Sequence, residues 1–149
     1  MSSLMIEGEG DAIAASERFA VDVGPALYRG ALKVAFLLGR KIAENVEAFK
    51  ETVGTRRLSR SFLVPQPTAE GSFMLGAESP VYAAAHEYGA TIKPIHGEYL
   101  TFQTPDGAWH SVKEVHIREK RYARDALDEL EVSGEPTSIL AAELVGAFE

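Results

Sequence analysis

The chain has 149 residues, 46% of them hydrophobic and 25% charged, the profile of one globular domain with its own core. It contains no cysteine, which excludes disulfides, thiolate catalysis and cysteine-based zinc sites. Its net charge of −7 argues against tight binding of nucleic acid through the phosphates, and no apolar run approaches the ~20 residues of a membrane-spanning helix.

Residues 1–24 read as an acidic arm. The first ten are rich in Gly, Glu and Ser and are expected to be loose. They lack a basic n-region and a long apolar stretch, so no signal peptide is expected. Asp11 is placed to cap a short helix over Ala12–Phe19, and Val23-Gly24-Pro25 is expected to end it. Pro25 suits the first turn of a new helix. From there Leu27, Ala31, Val34, Leu38, Ile42, Val46, Phe49 and Val53 recur in steps of three and four, one continuous helical stripe. Gly30 and Gly39 interrupt it where another element could approach closely, and Gly54 is a C-cap candidate.

Beyond Gly54 the pattern changes. The alternation in Leu58-Ser59-Arg60-Ser61-Phe62-Leu63-Val64 reads as a strand ended by Pro65-Gln66-Pro67, and Gly71–Ala77 reads as a second. Val81–Tyr88 reads as a short alanine-rich helix capped by Gly89, with Ala90–Pro94 extended after it. Tyr99–Thr104 and Ala108–Ile117 form a predicted hairpin around Pro105-Asp106-Gly107. In its second arm Trp109, Ser111, Lys113, Val115 and Ile117 share one face, and Trp109 is expected in the core. A helix over Arg121–Glu131 is broken at Gly134-Glu135-Pro136, and Ser138 is placed to cap a last helix, Ile139–Phe148. Hairpin connections in place of βαβ units give an α+β fold: a long N-terminal helix and C-terminal helices packed on a small antiparallel sheet. The organisation read is an arm (1–24), a main domain (25–131) and a C-terminal helix (132–149) packing on the domain or on a neighbour.

Little in this chain has the spacing of a reaction centre. His86-Glu87 opens like the zinc motif H-E-x-x-H, but position 90 is Ala90, so the second histidine is missing. His110 and His116 would lie roughly 20 Å apart along one strand face, too far to share an ion. Carboxylate neighbours such as Asp128/Glu129 and Glu7/Glu9 fall in acidic runs that give no reason for a shifted pKa. There is no phosphate loop and no G-x-S-x-G. No catalytic, cofactor-binding or metal-binding residue is therefore assigned. Charge is distributed in blocks: residues 25–63 carry eight cations and three anions, and residues 125–149 carry seven anions and no cation. Such blocks either make opposite-signed patches that favour oriented self-association or mix in three dimensions as solvated faces. Arg56, Arg57 and Arg60 beside Phe62 leave three readings open: contacts to phosphates, pairing with the acidic C-terminal block of a neighbouring copy, or cations dressing a helix end.

Three motifs in order then carry a resemblance. Leu58-Ser59-Arg60-Ser61-Phe62 after a long helix resembles the "L-R-x-S" strand start of small phage morphogenesis proteins. Pro80-Val81-Tyr82-Ala83 with Glu87-Tyr88-Gly89 resembles their "P-Y-A-x-x-x-E-x-G" signature. Ile117 to Leu127 resembles their closing "I-x-x-R-P-F-L-R-P-A-L", with Tyr122, Arg124, Ala126 and Leu127 matching, and with Arg121 and Asp125 standing where the family has prolines. The chain over about residues 25–131 thus resembles the tail-completion, or head–tail joining, proteins of long-tailed bacteriophages. The resemblance implies a virion structural protein without catalytic activity or cofactor. It implies a homo-oligomer, as a rule a ring of six, between head connector and tail tube, around DNA that passes without specific binding and away from any membrane. A tail terminator of the same particle is the alternative within that class. A small His/carboxylate enzyme and a nucleic-acid-binding module are the alternatives outside it. The candidate subunit contacts are Arg56, Arg57, Arg60, Tyr88, Arg121, Tyr122, Arg124, Asp128 and Glu129.

Overall fold

The computed structural model describes residues 9–49 and 55–147. Gly54, Val53, Phe148 and the first eight residues lie outside them. Five helices and six short strands follow one another: α1 (Glu9–Ala48), α2 (Thr55–Ser61), β1 (Gln66–Pro67), β2 (Phe73–Met74), α3 (Ala83–Tyr88), β3 (Ala90–Ile92), β4 (Leu100–Gln103), β5 (Trp109–Val112), β6 (Val115–Ile117), α4 (Tyr122–Ser133) and α5 (Glu135–Gly146). The class is α+β, and every ladder is antiparallel.

The predicted stripe is the spine of the molecule. Ala35, Ile42 and Val46 on it or beside it are buried. The expected break at Gly24-Pro25 does not occur, because α1 runs through Pro25 as one 40-residue helix. A proline inside a helix removes one backbone hydrogen bond at a cost of about 3 kcal/mol, and Val21-Asp22-Val23-Gly24 before it are poor helix formers, so it is packing, with Ala26 wholly buried, that carries the helix through. The second correction concerns the strand expected over Leu58–Val64: Leu58–Ser61 is the end of α2, and Phe62 lies in the turn that follows it. Leu58 and Phe62 are also four apart, so they share a helix face, and both are buried. The hydroxyl of Ser59, almost wholly buried, has its one proton between two acceptors, Glu47 Oε1 at 3.0 Å and the Arg56 carbonyl at 3.2 Å. Gly71–Ala77 contributes only β2, whose partner is the Gln66–Pro67 segment expected to end a strand.

Gly39 explains how α2 reaches α1. A Cβ there would meet the Phe62 carbonyl oxygen at 2.1 Å, so only glycine permits this approach. At Gly30 a Cβ would meet the Leu140 side chain at 2.8 Å, which places α5 against the same spine. The core is helical: Ile42, Val46, Leu58, Phe62, Ala83, Tyr122 and Ala126 come from α1, α2, α3 and α4.

The strands form three separate two-stranded ladders, β1–β2, β3–β6 and β4–β5. The hairpin is present, turned at residues 104–108 with Gly107 N donating to the Thr104 carbonyl at 2.8 Å. Its second arm divides at Lys113-Glu114, so that β6 leaves β4 and pairs with β3. His110 and His116 therefore stand in different ladders and do not share a strand. Trp109 is not in the core; it is 70% exposed. None of the residues of the β4–β5 ladder is buried, and of them only Leu100 and Val112 are half-buried. The last helix begins earlier than expected, at Glu135 after Gly134 in the left-handed conformation, and the Ser138 hydroxyl donates back to the Gly134 carbonyl from inside it.

Candidate subunit-contact site

α3 is six residues long, too short to hold itself in water, and it is held by α4. The first N–H groups of any helix lack acceptors inside it. At α4 they find the Glu87 carboxylate, which accepts from Ala123 N at 3.0 Å and from Arg124 N at 3.1 Å. A carboxylate at that end also suits the helix dipole. The guanidinium of Arg124 closes the joint: Nε donates to Glu87 Oε1 at 2.9 Å, while Nη2 donates to the Glu87 carbonyl at 2.6 Å and to Glu119 at 3.1 Å. Glu87 is 5% exposed, so its charge is matched entirely by protein donors. Its hydrogen bond to Arg124, and the contact with Glu119, raise the Arg124 pKa further above its ordinary value.

Tyr122 locks the same two helices from the other side. Its hydroxyl donates to the Ala83 carbonyl at 2.7 Å, and its ring packs against Phe62. Asn45 on α1 donates to the Tyr122 carbonyl at 3.0 Å. At 3% exposure Tyr122 belongs to the core, which corrects its place among the surface contacts: the hydroxyl that made it an interface candidate is spent on an internal carbonyl. Burial, then the nearby charge of Glu87, push its pKa up to about 12.

Arg121 precedes α4 at φ 51°. Proline fixes φ near −65°, so the backbone here takes a conformation that the proline of the resembling family could not. Asp125 N donates to the Arg121 carbonyl at 2.8 Å, a bond that proline at 125 would also lack. The first departure gives the chain its own turn into α4, and the second lies within the first turn of that helix.

The remaining candidates divide into tied and free. Arg121 bridges Asp125 at 2.9 Å and Asp128 at 3.4 Å. Glu129 meets Lys41 of α1 at 2.5 Å and raises its pKa by that hydrogen bond. Glu143 takes Lys33 and Arg29, which hold its carboxyl below the usual range. The charge blocks thus mix in part, since the acidic C-terminus pairs with the basic face of its own spine. Tyr88 stays 66% exposed beneath the Arg124 guanidinium, 4.8 Å from its ring centre. Arg56, Arg57 and Arg60 are exposed around a shallow hollow that also includes Glu78, and their side chains make no ion pair among the described residues.

Sequence reasoning missed Glu87 as the organising residue, and Asn45 and Glu119 with it. Its signal was present, because Glu87 and Arg124 both belong to the motifs quoted above. Among the described residues one His–carboxylate pair is close, His116 with Glu114 at 3.0 Å, and it lies on the surface. Among the described residues no group of three His, Asp or Glu could hold a metal ion, and no helix is long and apolar enough to cross a membrane. No family model, curated protein or solved structure matches the chain.

Proposed function

We propose that this protein is a structural subunit of the head–tail junction of a long-tailed phage. In this reading it forms a ring, of six copies as the family expectation has it, that joins tail tube to head connector around the DNA path. The observation that carries the reading is the joint itself. Two of the three motifs behind the resemblance, Pro80–Gly89 and Ile117–Leu127, lie apart in sequence, yet their distinguishing residues bond across them, Tyr122 to Ala83 and Arg124 to Glu87. Residues that read as one signature thus act as one structural unit. The role given to the chain is mechanical, and its place is the virion.

Imaging of the assembled particle, with the chain labelled, tests the proposal. The label is expected at the neck, and particles made without the chain are expected to leave filled heads and finished tails unjoined. A label on the shell or baseplate, or joined particles without the chain, would refute it.

A further inference from the structure

In a chain with 22 acids and 15 cations, a surface cation readily finds a carboxylate. Arg29 and Lys33 share Glu143, Lys41 meets Glu129, and Arg124 meets Glu87 and Glu119. Arg56, Arg57 and Arg60 make no ion pair among the described residues, and all three stand within the seven residues of α2. At 3.6 residues per turn they share one outward arc of about 100°, opposite the side that buries Leu58 and Ser59. That buried side ties α2 to α1, through Ser59 and Glu47 among others, so the arginines ride on a held helix. Arg56 and Arg60 are four apart, a spacing at which like charges oppose each other on a helix. A bound polyanion removes that opposition. The hollow framed by the three is lined also by Ser61, whose hydroxyl donates to the Leu58 carbonyl, and by exposed Glu78. Three cations thus face one anion, and the site stays cationic in a chain of net charge −7.

We infer that the outward face of α2 is a contact for the phosphate backbone of duplex DNA. The planar fork of arginine matches a pair of phosphate oxygens, which the point charge of lysine does not. The lining of the hollow favours this partner over two others. A protein partner is held by an apolar interface centre, and single-stranded nucleic acid by aromatic platforms for its bases; every residue lining the hollow is polar or charged, and none is aromatic. Phosphate contacts carry no sequence information, so the contact is indifferent to sequence. The acid excess of the rest of the chain repels DNA, which keeps the contact weak and confines it to this face. The inference rests on the head–tail reading for its biological setting, where it turns α2 toward the DNA path, although the contact can be tested alone.

The test is fluorescence anisotropy of a labelled short DNA duplex, from low salt upward, with wild type and three variants: Arg56→Gln/Arg57→Gln/Arg60→Gln, the same three positions changed to Lys, and Glu78→Gln. All four sites are exposed, and circular dichroism checks that each variant folds; the Lys variant and Glu78→Gln carry the test should the Gln variant unfold. Wild type is expected to bind duplexes of unlike sequence equally. Its log affinity is expected to fall against log salt with a slope of up to about −2.7, about 0.9 for each of three phosphates. The Gln variant is expected to lose about tenfold or more in affinity and most of that slope. The Lys variant keeps the charge and is expected to keep most of the slope, and Glu78→Gln is expected to bind more tightly than wild type. A wild type that binds no duplex at low salt, a Gln variant that binds like wild type, a Glu78→Gln variant that binds less tightly, or a clear preference for one sequence overturns the contact. So does a thymidine oligonucleotide bound more tightly than duplex, which assigns the face to single strands. Inorganic phosphate that displaces the duplex far better than chloride of equal ionic strength assigns the hollow to small anions and overturns it as well. Self-association lost in the Gln variant, with duplex binding unchanged, assigns the arginines to a neighbouring copy and overturns it. Duplex binding as expected from a chain whose label is absent from the neck supports the contact and refutes the head–tail reading, and a labelled neck without duplex binding does the reverse.

Discussion

The α3–α4 joint and the β4–β5 hairpin are both built from residues that look functional, and they use them in opposite ways. In the joint every conspicuous group points inward: Glu87 to the α4 N-terminus, Arg124 to Glu87, and Tyr122 to the Ala83 carbonyl. In the hairpin Tyr99, Phe102 and Trp109 stay exposed, with contacts inside it such as Phe102 on His110 and Lys113 over Tyr99. A lone two-stranded hairpin is marginal in water, so it adds little to the stability of the body. The difference teaches that a motif can be a brace and an aromatic hairpin a free surface, the reverse of what residue type alone suggests.

Three substitutions sharpen or break that contrast. The largest effect is expected at Glu87→Ala, which strands two helix N–H groups and leaves Arg124 without its main partner. The expected loss is about 3 kcal/mol in urea unfolding, and a loss below about 1 kcal/mol, the range of an exposed pair, would mean that the joint is ornamental. Tyr122→Phe comes next, at about 1 kcal/mol for the lost hydrogen bond. It also carries a pH signature. Tyr122 holds its proton more tightly when folded, with its pKa raised from 10.0 to about 12. Its contribution is complete below the lower value and is lost as pH climbs toward the higher one. The alkaline decline of wild type over that window is therefore expected to shrink in the variant, and parallel declines would contradict the assignment. Trp109→Ala is expected to change stability least, by about 0.5 kcal/mol or less; a loss of several times that would show the hairpin to be packed.

The sequence disclosed what local periodicity encodes. The stripe from Leu27 to Val46 marks α1, Pro105-Asp106-Gly107 marks the hairpin turn, and Gly134 marks the break between α4 and α5. It misled where one pattern satisfies two periods, as in Leu58–Phe62, which alternates like a strand and also steps by four like a helix. It misled again at Pro25, where burial of the adjacent Ala26 outweighs a local breaker. The joint was only half legible. His86-Glu87 was tested as a metal motif and rejected, but the acceptor role of Glu87 depends on Ala123, 36 residues away, which no local spacing reports. Trp109 shows the limit for single residues, since its size argues for burial and only the tertiary arrangement reveals that it is 70% exposed. The segregated charge proved partly internal, through Lys41–Glu129 and the Arg29–Glu143 bridge, and that left Arg56, Arg57 and Arg60 as the clearest surface signal.

The central claim is that this chain is built to meet copies of itself. Multi-angle light scattering across a wide concentration range, at low salt, tests it most directly. The account predicts a concentration-dependent rise from monomer to a single closed, ring-sized species, and a strictly monomeric mass over the whole range would contradict it.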